Sequence, residues 1–182
     1  MADPLPRVTD ILRSVGLGPD LSMVPPATLA AALERGAAVH EAIEAWAYGY
    51  LTPDLVPPYA APYFDAYLKF MAESGAELIA AEIEVVNATW GYRGHPDLVC
   101  WIGKTRVIID AKTGADDGVE YQVVAYVDGW NAEHQTEQVV AGACLNLRDD
   151  GTYRLREIDL NAARPVWYGA VTVFHAQKRR AA

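Results

Sequence analysis

Asp97, Asp110 and Lys112 are residues whose types and spacing suit chemistry. Asp110 and Lys112 stand two apart at the end of an apolar run, Arg106-Val-Ile-Ile-Asp-Ala-Lys112. That run reads as a strand, so both side chains leave the same face. Asp97 heads a second apolar run, Asp97-Leu-Val-Cys-Trp-Ile102, and a tight turn at Gly103-Lys104 joins the two. The hairpin belongs in the middle of a sheet, and Asp97 lies across from Asp110. Two carboxylates brought together at the edge of an apolar sheet repel each other and are poorly solvated, so they need a compensating cation. Lys112 supplies one charge, and a hard divalent ion would supply more. Oxygen ligands of this kind suit Mg2+ or Mn2+ rather than zinc. The plain alternative is a surface ion pair at a strand end, the common fate of charged residues. Gly94, which permits close backbone approach beside Asp97, weighs against it.

These residues need elements to hold them. A helix over about Thr28–Tyr48 carries Leu29, Leu33, Gly36, Ala37, His40, Ile43 and Ala47 on one stripe. His40 is therefore on the side expected to be buried, either as a core histidine or as a ligand, and Gly36-Ala37 leaves room for a sheet edge. A second helix, about Tyr59–Glu73, offers Tyr63, Tyr67, Phe70 and Met71. Residues 77–86 read as one strand with Ile79, Ala81, Ile83 and Val85 on one face and Glu82 and Glu84 on the other. One of those glutamates is expected near the carboxylates, with a solvated strand face as the alternative. After Lys112 a loop leads to a helix over about Val119–Glu133, where Gln122 and Tyr126 sit one turn apart on one face. A short helix over Asp10–Val15 follows a proline-punctuated tail at 1–7. A second hairpin turns at Asp149-Asp150-Gly151, and a last helix over Val166–Arg180 is opened by Pro165.

The chain has 182 residues, 52% hydrophobic and 21% charged, which predicts one α/β domain over 1–182 with its own core. No apolar run is long enough to span a bilayer, and no basic region followed by an apolar one opens the chain, so a cytoplasmic protein away from membranes is expected. Cys100 and Cys144 are too few for a four-cysteine iron–sulfur cluster. A net charge of -9 argues against broad nonspecific binding to nucleic acid. It leaves room for a local basic groove, because eleven of the fifteen cations are arginine.

The order of these pieces is Gly36-Ala-Ala-Val-His40 on a helix, Glu82 on a strand, Gly94-His-Pro-Asp97, Asp110-Ala-Lys112, then Gln122-Val-Val-Ala-Tyr126 on a helix. It resembles the PD-(D/E)XK nuclease superfamily, in particular its RecB-type branch with the Cas4-like and phage-type exonucleases. The resemblance runs from about Thr9 to Tyr126. It implies a restriction-endonuclease-like core, a central mixed sheet flanked by helices. It also implies a Mg2+- or Mn2+-dependent deoxyribonuclease, an exonuclease or DNA-end-processing enzyme. Carried over by position, His40, Asp97, Asp110 and the Ala111 carbonyl are metal ligands. Lys112 is the catalytic lysine, acting with Asp97, Asp110 and Glu82, and Gln122 and Tyr126 bind substrate. The resemblance implies DNA as substrate and a recombination or helicase partner, and leaves the oligomeric state open. The extra cysteines of the iron–sulfur members are missing, so no such cluster is expected. A nucleic-acid-binding or assembly module that kept the fold without cleaving is the alternative.

Overall fold

The computed structural model describes residues 5–181. The apolar hairpin is the centre of a five-stranded mixed sheet. β4 (Leu98–Ile102) and β5 (Thr105–Lys112) pair antiparallel, with Leu98 opposite Ile109 and Ile102 opposite Thr105. Gly103 makes the turn at φ 61°, a conformation glycine adopts without strain. β1 (Glu77–Ala81) flanks β4 antiparallel. On the other side β6 (Ala141–Leu147) runs parallel to β5, and β7 (Tyr153–Glu157) closes the sheet antiparallel, for an order β1-β4-β5-β6-β7. A parallel neighbour requires a crossover, and α4 (Val119–Glu133) is that crossover.

Helices cover both faces. On one face α2 (Pro26–Ala47) and α3 (Ala61–Ser74) bury Val39, Ile43, Phe64, Tyr67 and Phe70 against Leu98, Cys100, Ile109 and Leu145. On the other, α1 (Val8–Ser14), α4 and α5 (Leu160–Ala181) bury Val8, Ile11, Val123, Val127 and Trp167 against Val99, Ile108 and Cys144. Burial on two sides explains why β4 and β5 read as continuous apolar runs rather than as alternating ones. It also explains why β6 does not alternate between buried and exposed residues, with Gly142 through Leu145 all buried. Among the described residues no helix is long and apolar enough to cross a membrane.

The single strand expected over 77–86 is two. β1 ends at Ala81, Glu82 takes a left-handed φ of 49°, and the chain restarts in β2 (Val85–Asn87), which pairs with β3 (Tyr92–Gly94) in a separate two-stranded sheet. An irregularity in the β1–β4 register between Leu78 and Ala80 already breaks the alternation, and Ile79 is exposed rather than facing in with Ala81. The α2 stripe is also shorter than expected. Leu33 and Ala37 are exposed, and packing falls to Val39, Ala42 and Ile43 in the C-terminal half. A Cβ at Gly36 would meet only Thr113 Oγ1, at an ordinary 3.8 Å, so no close sheet approach requires this glycine. α5 begins five residues before Pro165, because Asp159 Oδ1 accepts the N–H groups of Asn161 and Ala162, both at 3.0 Å. Pro165 costs only the bond to the exposed Asn161 carbonyl. Of the expected tail over 1–7, residues 1–4 lie outside the described part. Arg7 bridges Arg93 of β3.

Candidate metal centre

Asp110 and Lys112 leave the same face of β5 near its end, as their spacing requires. Lys112 Nζ lies 2.7 Å from Asp110 Oδ2. The contact is ionic and poorly directed. Oδ2 of this fully buried carboxylate has no hydrogen-bond partner among the described residues. The Asp110 Oδ1 atom accepts from Gln122 Nε2 at 2.9 Å. Gln122 Nε2 also donates to the Tyr126 hydroxyl at 2.8 Å, and its Oε1 accepts from Lys112 at 3.4 Å. The two α4 residues thus brace the acid and the amine of β5.

Asp97 precedes β4 by one residue and continues the register that sets Leu98 against Ile109, which puts it across from Asp110. Its Oδ2 accepts the Ala111 N–H at 2.6 Å. Its Oδ1 lies 3.3 Å from His40 Nδ1 on α2. The same Nδ1 lies 2.9 Å from Glu82 Oε1. Glu82 reaches it because the chain turns out of β1 at the left-handed residue, where the Glu82 N–H donates to the Asp97 carbonyl at 3.1 Å. That conformation is unusual for a residue with a side chain and is held by its surroundings. Glu84 points elsewhere, to Arg93 Nη1 at 2.7 Å.

Ligand atoms of His40, Glu82 and Asp97 all lie within 4.8 Å of one another. The expected set was His40, Asp97, Asp110 and the Ala111 carbonyl. The structure puts Glu82 directly on the imidazole, leaves Asp110 tied to Gln122 and Lys112, and engages Ala111 through its N–H. Strand alternation puts Glu82 and Glu84 on one face and does not choose between them. Only the break after Ala81 turns Glu82 inward.

The charges are balanced unevenly. The Asp97 charge, opposed by burial and aided by hydrogen bonds to Asp97 and Glu82, holds the His40 imidazolium up to about 11. Burial lifts the Asp110 carboxyl to about 6, against the pull of Lys112 and with the Asp97 charge adding to the rise. Burial draws the Lys112 ammonium down, but Asp110 and Asp97 more than offset it and hold it above its usual value. Burial, with Asp110 and Asp97 beyond it, keeps the Tyr126 phenol protonated.

The donor set fits a divalent cation. The 2.9 Å between His40 Nδ1 and Glu82 Oε1 matches the edge of an octahedron with bonds of about 2.0–2.1 Å, and the 3.3 Å to Asp97 Oδ1 is slightly longer than that edge. Asp110, across the hairpin from Asp97, keeps its Oδ2 on the Lys112 ammonium and stands outside this three-residue group. A proton on His40 Nδ1 and a metal ion would compete for the same place.

No protein-family model matches the chain, and no curated protein does. Among solved structures, the chain is similar to an alkaline exonuclease from Laribacter hongkongensis. The two share 17% identity over 64% of this chain and 68% of the other, with a TM-score of 0.39. A likeness so remote assigns neither a family nor an activity.

Gly94 closes β3, and its role is steric. A Cβ there would stand 2.7 Å from Tyr126 Cδ1 and 3.1 Å from Val8 Cγ2. The missing side chain lets the Tyr126 ring pass under β3 and carry its hydroxyl to Gln122.

Proposed function

We propose that this protein is a metal-dependent nuclease that hydrolyses phosphodiester bonds in DNA, as an exonuclease or at DNA ends. One observation supports this reading above the rest. Residues from α2, the β1–β2 break, the start of β4, the end of β5 and α4 converge on one spot, in the set and order of the nuclease motifs. Scattered ion pairs would not converge so.

His40, Glu82 and Asp97 would hold the ion, with Asp110 across the hairpin from Asp97 and paired to Lys112. A bound Mg2+ or Mn2+ supplies Lewis-acid stabilisation of phosphate charge and lowers the pKa of water. Lys112 stays charged beside the two aspartates and offers positive charge to the phosphate as negative charge grows on it. Gln122 fixes the Asp110 carboxylate and the lysine in one geometry. Tyr126, a neutral phenol, fixes Gln122.

The test is digestion of end-labelled linear DNA and of circular DNA with Mg2+ or Mn2+. Lys112→Ala and Asp110→Ala, each shown to be folded, lose cleavage by about 10²- to 10³-fold or more. The linear form is cut and the circular form spared. Wild-type rates from either variant would remove the mechanism.

A further inference from the structure

A second feature lies at the same end of the sheet. A pocket of about 410 Å3 is lined by Tyr63 of α3, Thr113 and Asp116 after β5, Asn146 of β6, Arg148 just after β6 and Arg154 of β7. Its position follows from strand register. Lys112 is the partner of Asn146, and Asn146 is the partner of Arg154. Partners in adjacent strands share a face, so the row Lys112–Asn146–Arg154 crosses the sheet from the centre to the edge. At about 4.8 Å per strand, the two ends of the row are roughly 10 Å apart.

The charge in this pocket opposes that of the chain. Arg148 and Arg154 are exposed and form no ion pair among the described residues. Arg35 of α2 lies behind the lining, against Thr113 and Tyr63. Its Nη2 donates to the Thr113 carbonyl at 3.2 Å, its guanidinium lies 5.2 Å from the centre of the Tyr63 ring, and its buried Nε has no partner among the described residues. On the acidic side, Asp116 is neutralised by Arg156 at 2.7 Å, and Asp149 alone among the lining carboxylates lacks a cation. The pocket is thus net positive in a protein of net charge -9. Arginine is the side chain best shaped to grip phosphate.

We infer that this pocket is a phosphate subsite that holds the DNA strand one to three nucleotides from the bond cut beside Lys112. The inference rests on the nuclease reading. Successive phosphates of one strand lie farther apart than the roughly 3.4 Å rise of the duplex axis, so a row of roughly 10 Å spans at most about three. Arg148 and Arg154 contact the phosphates, and Arg35, behind Tyr63 and Thr113, braces the wall they form.

The test is fluorescence anisotropy with a short labelled DNA strand and Mn2+. Every protein compared carries Lys112→Ala, which keeps the strand intact. Adding Arg148→Ala with Arg154→Ala weakens binding roughly tenfold and makes the slope of log K against log salt shallower by about 1.4, as two lost contacts to a single strand require. The control pair Arg179→Ala with Arg180→Ala, on the last turn of α5, removes the same charge and leaves the slope unchanged. Strands with and without a terminal phosphate show whether the subsite takes internal phosphates or the chain end. If the parent binds and the Arg148/Arg154 pair changes neither affinity nor slope, the subsite is wrong and the nuclease reading stands. An equal effect from the control pair also overturns the subsite. If the Lys112→Ala parent does not bind DNA at all, both fall.

Discussion

Glu82 holds the clearest trade between stability and chemistry at the level of single residues. Its φ of 49° puts a side chain where glycine is the comfortable occupant. Glu82→Ala and Glu82→Gly both remove the carboxylate, but only glycine relieves the backbone. Urea denaturation should find Glu82→Gly more stable than Glu82→Ala by about 1 kcal/mol. Equal stabilities would mean that the turn carries no strain. Gln122 makes the opposite case. Gln122→Ala leaves the fully buried Asp110 carboxylate without its Oδ1 donor. An unsatisfied buried acceptor costs about 1–3 kcal/mol, and the unfolding midpoint should drop accordingly. A variant as stable as wild type would show that Gln122 does not brace Asp110.

The elements explain what was legible in the sequence and what was not. The β4–β5 hairpin, its turn at Gly103-Lys104 and the same-face placement of Asp110 and Lys112 follow from local pattern, because strand periodicity and turn chemistry act over a few residues. The α4 pair Gln122–Tyr126 follows from helical spacing for the same reason. His40 was readable as a buried-side residue but not as a partner of Glu82. The break after β1 depends on how Glu82 is held by Asp97, fifteen residues later. The start of α5 was hidden by Pro165, a strong local signal outweighed by the Asp159 cap. The closeness of Gly94 to Tyr126 is likewise a contact between β3 and α4 that no local pattern encodes. It yields a prediction for the element pair. Gly94→Ala forces the Tyr126 ring away and destabilises the fold by about 1–3 kcal/mol. Because Tyr126 fixes Gln122, cleavage falls as well, and Tyr126→Leu in the same chain restores part of the stability without the activity. A Gly94→Ala protein with wild-type unfolding and cleavage would refute the link.

For the whole molecule, the metal is expected to contribute stability as well as chemistry. Glu82, Asp97 and Asp110 crowd one end of the sheet, and an ion that binds only the folded chain draws the equilibrium toward it. At 100 times the dissociation constant the gain is about 2.7 kcal/mol, which raises the melting temperature of a chain this size by roughly 5–10 °C. His40→Ala abolishes most of that rise. The same sheet end collects Arg148, just after β6, and Arg154 of β7. On the proposed subsite, the negative charge of the rest of the surface would direct a strand to this one place.

The account stands on a divalent ion seated between an α2 imidazole and carboxylates from the β1–β2 break and the start of β4. The most direct measurement is anomalous diffraction from crystals of the protein soaked in Mn2+. The predicted result is a manganese peak bonded to His40 Nδ1, Glu82 and Asp97, with Asp110 facing it and the His40–Glu82 hydrogen bond gone. A map with no manganese there, and His40 still donating to Glu82, would contradict it.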